Sequence, residues 1–142
     1  VSRPELDVLR AAYDAWNRAD LTRFVESFTE DVEVHPFLGR GLVASTYHGH
    51  DGLRSWYADA NEPWERLDVE AEEFQELDDG RVAVFVRATG EGIGSRALVE
   101  ARIVHVIGFR DGRIARLDGY ANREMALQAL GLAQLGDAAD DG

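Results

Sequence analysis

Apolar residues recur at helical spacing where the chain begins. Leu6, Leu9, Tyr13 and Trp16 stand three or four positions apart, which predicts an amphipathic first helix. Ser2 and Glu5 have the spacing of a capping box, and Pro4 is tolerated in a first turn. Asp20 then serves as N-cap for a short second helix with Leu21, Phe24, Val25 and Phe28. Val32 to Pro36 reads as a short strand ended by its proline, and Phe37 to His48 as a glycine-bearing loop. Asp51 is the expected cap of a third helix, whose stripe is Leu53, Trp56, Tyr57 and Ala60. Glu62-Pro63 ends it, because a residue before proline disfavours the helical region.

Beyond this point the period changes to that of strands. Leu67 to Leu77 is a mixed, partly exposed strand, and Asp79-Gly80 marks a hairpin into Arg81 to Thr89. Gly90, Gly92 and Gly94 signal a second turn or bulge before a long strand from Arg96 to Arg110. Asp111-Gly112 is a further hairpin signal, leading to Arg113 to Ala121. A closing helix carries Met125, Leu127, Leu130 and Leu132. Helices gathered first and hairpins gathered last imply an α+β fold. Its sheet would be antiparallel or mixed and strongly curved around the N-terminal helices, leaving a cone-shaped pocket. One domain is expected over residues 1–134, followed by an acidic, flexible tail over 135–142.

Composition narrows the chemistry. The chain has 142 residues, 45% hydrophobic and 30% charged, the profile of a globular domain with a real core. All 15 basic residues are arginine and cysteine is absent. A Schiff-base lysine, a thiol nucleophile, a disulfide framework, a cysteine-ligated zinc and a P-loop lysine are therefore excluded. Gly90-x-Gly92-x-Gly94 lacks the spacing and strand-to-helix context of a nucleotide-binding loop. The net charge of −12 and the lack of any basic run argue against nucleic acid and anionic membranes as partners. With no apolar run of transmembrane length, a cytoplasmic protein is expected.

The order of elements and several stretches resemble the nuclear transport factor 2-like (ketosteroid isomerase-like) superfamily, particularly its SnoaL-like families. Those stretches are residues 13–21, 28–34 and 47–53, the run Phe109-Arg110-Asp111-Gly112-Arg113-Ile114, and Asp118-Gly119-Tyr120. The resemblance implies a small-molecule pocket within a cone-shaped fold, and a homodimer. For activity it implies either a cofactor-independent acid/base enzyme (isomerase, dehydratase, cyclase or hydrolase) or a noncatalytic binding or dimerisation module. Ketosteroid isomerases keep a general-base aspartate before a proline at the end of the first strand, where this chain has His35-Pro36. Their oxyanion-binding aspartate maps to His105, counting back from Phe109, and the nearest match to their tyrosine is Tyr13, one position off. Limonene epoxide hydrolases need an Arg-x-Asp pair, where this chain has Arg87-Ala88-Thr89, and a second aspartate near Gly119. The residues of neither activity are complete.

His105 is the most informative candidate, because alternation places it on one strand face with Val99, Ala101, Ile103, Ile107 and Phe109. Such a dry face makes it either a satisfied core histidine or a pocket-lining donor or proton shuttle. His35 shares a face with Glu33 and is either a pocket base or a loop anchor. In the catalytic reading His35 removes a proton while His105, with Tyr13 or Tyr57, stabilises an oxyanion. Trp16, Asn17, Tyr57, Arg87 and Tyr120 are candidate contacts to a small hydrophobic carbonyl or hydroxyl compound. The noncatalytic reading expects the pocket to be sealed by Trp16, Trp56 or Phe37. His48-x-His50 with Asp51 invites a metal, but no further ligand is evident and the segment reads better as a turn into a helix. No metal and no cofactor is expected.

Overall fold

The protein is described by a computed structural model covering residues 1–36 and 46–131. Helix α1 (Arg3–Asn17) starts with the expected reciprocal capping box between Ser2 and Glu5. Its buried side, Leu9, Ala12, Ala15 and Trp16, lies in the main core. Helix α2 (Leu21–Glu26) is capped by Asp20, whose carboxylate accepts the Arg23 N–H.

Strand β1 (Phe28–His35) begins four residues earlier than its apolar pattern suggests, because Phe28 pairs with Ile114 on the last strand. A two-residue strand β2 (Tyr47–His48), with no sequence signal, pairs antiparallel with β1. Helix α3 (Gly49–Asn61) corrects the expected cap. His48 is its N-cap residue and makes no side-chain cap bond, while Asp51 sits in the first turn and pairs with Arg54. Gly49 takes a φ of +69° there, a conformation glycine adopts without penalty.

Strands β3 (Trp64–Glu76), β4 (Val82–Gly92), β5 (Leu98–Arg110) and β6 (Arg113–Tyr120) follow as an antiparallel meander. β3 starts three residues before the expected Leu67, because Trp64 and Arg66 find partners at Gly92 and Glu91 on a longer β4. At the β5–β6 turn both Asp111 (φ 54°) and Gly112 (φ +79°) have positive φ, as a tight two-residue hairpin demands. Helix α4 (Arg123–Leu130) is capped by Asn122 and ended by Gly131 in the left-handed region. Phe37, Leu132 and the acidic tail lie outside the described residues.

The sheet order is β2-β1-β6-β5-β4-β3, with β1 parallel to β6 and every other pairing antiparallel. It is a mixed sheet within an α+β fold, as expected. Its two faces carry separate cores. Leu9, Trp16, Phe28, Val84, Val86, Ile107 and Leu117 belong to the face covered by α1, α2 and α3. Ala83, Phe85, Val104, Val106 and Tyr120 belong to the reverse face, which α4 covers through Ala126. Each fully buried aliphatic or aromatic side chain in these clusters is worth roughly 1.5–3 kcal/mol relative to exposure.

Candidate functional site

Between α1, α3 and the sheet lies a cavity of about 390 Å³ with an almost wholly apolar wall. Helices α1 and α2 contribute Leu9, Ala12, Tyr13, Trp16 and Phe24, and α3 contributes Trp56, Asp59 and Ala60. The sheet supplies alternate residues of β5, from Ala101 to Ile107, which include His105. A run of one strand at period two thus becomes one side of the cavity.

His105 is 6% exposed, and the Tyr13 hydroxyl lies 2.7 Å from its Nδ1. The two rings stack at 5.9 Å with 12° between their planes, and Trp56 meets the imidazole edge-on at 6.4 Å. Burial drives the His105 pKa down to about 4, because a charged imidazole has lost its water. Burial likewise pushes the Tyr13 phenol well above its ordinary range. Both groups are therefore neutral near pH 7. The phenol retains its proton and donates it to Nδ1, its only partner among the described residues. That bond selects the tautomer with hydrogen on Nε2. The result is an N–H donor, without a partner among the described residues, on an oily wall.

His35 stands elsewhere. It is not among the lining residues; its Nε2 lies 3.1 Å from Glu33 Oε1, and its Nδ1 lies 3.3 Å from the Thr46 hydroxyl. Its parallel partner on β6 is Asp118, which pairs in turn with Val106 on β5, whereas His105 pairs with Gly119. Residues paired across a sheet share a face, so His35 belongs to the reverse face and His105 to the cavity face. Arg116 joins this rear group, with Nε 3.0 Å from both Asp118 carboxylate oxygens and Nη1 3.5 Å from Glu33. The bond from His35, followed by the charge of Arg116, holds the Glu33 carboxyl below its usual range.

The other candidates divide in the same way. Trp16 lines the cavity, and its ring meets Trp56 at 5.1 Å, Tyr57 at 4.8 Å and Phe24 at 5.5 Å. Tyr57 packs behind Trp16 rather than on the wall. Asn17 uses both ends of its amide on the β3 backbone, donating to Val69 O at 2.7 Å and accepting from Val69 N at 2.8 Å. It acts as a one-residue partner for that edge strand. Arg87 is on the reverse side of β4, paired with Glu70 and with Glu72 at 3.6 Å. Tyr120 is buried in the rear core. His50 donates from Nε2 to the Phe28 carbonyl at 3.0 Å, and no cluster of metal-ligating side chains occurs among the described residues.

Sequence reasoning missed Asp59. It is the only carboxylate lining the cavity among the described residues, and it accepts a 2.7 Å hydrogen bond from Tyr47. Its sole signal was its place three residues after Trp56, on the helical stripe side of α3. Gly119 also gains a meaning. A Cβ there would stand 2.1 Å from the Pro36 carbonyl oxygen, so no aspartate of the epoxide-hydrolase kind has room.

The model of the SnoaL-like domain matches residues 9–117, most of the chain. The chain belongs to the SnoaL-like family. Among solved structures, this SnoaL-like protein is similar to TerC co-crystallised with polyporic acid, with 23% identity, 89% of this chain and 97% of that chain covered, and a TM-score of 0.73. It is also similar to SalBIII, the epoxide hydrolase/cyclase-like enzyme in pyran ring formation in the polyether salinomycin (19% identity, 84% and 92% covered, TM-score 0.70). A third is a protein of ketosteroid isomerase-like fold from Catenulispora acidiphila, in complex with trimethylamine (17% identity, 88% and 92% covered, TM-score 0.69). At these identities the likeness is one of fold. No curated protein sequence matches the chain. Within the described residues of this SnoaL-like protein, no helix is long and apolar enough to cross a membrane.

Proposed function

We propose that this SnoaL-like protein is a cofactor-independent acid/base enzyme on a compact, uncharged hydrophobic compound, with Tyr13 and His105 as the polar pole of its cavity. One observation carries the reading: a 2.7 Å phenol–imidazole pair on an otherwise apolar wall. Nε2–H of His105 donates to a substrate oxygen and strengthens that bond as negative charge develops there. Tyr13 holds the tautomer, so it is a positioning residue. The proton-abstracting role goes to Asp59, the wall's carboxylate, in place of His35, whose ring serves Glu33 and Thr46. Trp16 and Trp56 supply apolar contact. Isomerisation, dehydration, cyclisation and ring-opening hydrolysis all fit a donor and a base that line one cavity.

A panel of hydrophobic ketones in D₂O tests this directly, with exchange of the hydrogens next to the carbonyl followed by NMR. Exchange should be catalysed by the wild type and fall by about 10²-fold in Asp59→Asn and His105→Ala. Undiminished exchange in both variants would remove the acid/base mechanism. If ketones bind without exchange, the noncatalytic binding module takes its place. That second reading draws support from the neutrality of His105 and from the placing of His35 away from the wall.

The proposal extends to a homodimer, which draws support from Ile93, Leu98 and Val99, large apolar side chains left 59%, 73% and 51% exposed around the β4–β5 turn. Light scattering returning one chain mass would dismiss it. For location we propose the cytoplasm, which suits a chain whose fold closes without a disulfide.

A further inference from the structure

We infer that the cavity selects an uncharged compound meeting it only as a hydrogen-bond acceptor, such as a ketone, quinone or ester, over the matching alcohol or acid. This rests on the proposed role of the cavity and sharpens the substrate class. The hydrogen-bonding side chains of the wall, apart from Tyr13, are Trp16, Trp56, Trp64, His105 and Asp59. An indole nitrogen can only donate, and the neutral His105 ring, with its Nδ1 occupied by Tyr13, also presents a donor. Acceptors are few: the Asp59 carboxylate, on an exposed residue of α3, receives the Tyr47 hydroxyl at one oxygen, and the other acceptor is the Tyr13 hydroxyl oxygen. A ligand oxygen seated on the buried donors His105 and Trp16 meets them fully as an acceptor, whereas a hydroxyl proton must compete for these few acceptors.

A second, independent observation points the same way. Trp16 is 6% exposed, and its Nε1–H is buried with no acceptor among the described residues. A buried donor left without a partner is unfavourable, and a ligand oxygen that reached it would relieve that cost. Anions are disfavoured in turn. No arginine lines the cavity among the described residues, and Asp59 adds a negative charge.

Four compounds on one three-ring frame separate these contributions: fluorene, 9-fluorenone, 9-fluorenol and fluorene-9-carboxylic acid. With no lysine or cysteine in the chain, side-chain amine and thiol adducts do not confuse the titration. Calorimetry on the wild-type protein should find 9-fluorenone bound about tenfold tighter than fluorene, 9-fluorenol several-fold weaker than the ketone, and the acid weakest. In ¹H–¹⁵N spectra the Trp16 indole signal, assigned by its loss in Trp16→Phe, should move downfield with 9-fluorenone and not with fluorene. The wild-type series stands whether or not that variant folds.

Fluorene binding as tightly as the ketone would overturn the acceptor rule while leaving the apolar cavity intact. Alcohol or acid binding best would overturn it as well. If no member of the series binds, the cavity reading itself fails. A ketone preference with an unmoved Trp16 signal would overturn the part given to Trp16, because its N–H would then rest on a neighbouring ring.

Discussion

His105 and His35 lie on opposite faces of one sheet, two strands apart, and their surroundings differ in kind. Around His105 the neighbours are Tyr13, Trp56 and aliphatic side chains, so the imidazole is neutral and a hydroxyl orders its protons. Around His35 stand Glu33, Thr46, Asp118 and Arg116, with His35 16% and Glu33 43% exposed at the side chain. Ions and water share the electrostatic work there. Residue type was the same in both places; the medium decided whether it would be a tuned donor or a surface anchor.

The strongest way to test this contrast is acid. The folded-state pKa of His105 is about 4 against 6.5 for a free imidazole, so between these values the unfolded chain binds more protons than the folded one. The His105 contribution is whole above about pH 6.5 and is lost as pH falls toward 4, roughly 3 kcal/mol over the window. Paired carboxylates such as Asp31 and Glu33, held low, also lose stability in acid. Denaturant unfolding of the wild type and His105→Asn across the window therefore isolates the histidine. Parallel curves would show that His105 titrates like a solvated ring.

Adding a methyl to each face should come next in size. Gly119→Ala sets a Cβ against the Pro36 carbonyl and is expected to destabilise by about 1–3 kcal/mol. Gly108→Ala, on the reverse face, meets only ordinary contacts with Arg116 and Arg81 near 4 Å and should be neutral or slightly stabilising. Equal effects in thermal melts would mean that Pro36 yields freely.

Tyr13→Phe leaves Nδ1 of His105 buried without its donor, at an expected cost of about 1 kcal/mol. Its more telling readout is imidazole ¹⁵N shifts, where the Nε2–H tautomer should lose its dominance. An unchanged tautomer would mean that something other than the phenol selects it. The smallest effect is expected from His35→Ala, below about 1 kcal/mol, since its pair with Glu33 is partly in water. A large loss of ketone exchange in that variant would return His35 to the catalytic site.

The local elements were readable because their causes are local. Ser2 and Glu5 cap α1, Asp20 caps α2, and Asp111-Gly112 turns β5 into β6 through contacts only a few residues apart. Asp51 misled for the same reason: it has the chemistry of a cap, but the pairing of Tyr47 and His48 with β1 starts the helix earlier. Alternation along β5 was enough to put His105 on an apolar face. His35 could not be placed that way, because its face depends on the parallel register of β1 against β6, set by residues about eighty positions away. Asp59, Gly119 and the buried N–H of Trp16 were equally silent, since each acquires its role from a distant neighbour. The sequence by itself determined the fold family, the order of its elements and a chemistry without amine or thiol nucleophiles. Tertiary structure alone decided which polar groups share the cavity and in what protonation state, because desolvation and hydrogen-bond partners exist only once the helices have packed on the open sheet.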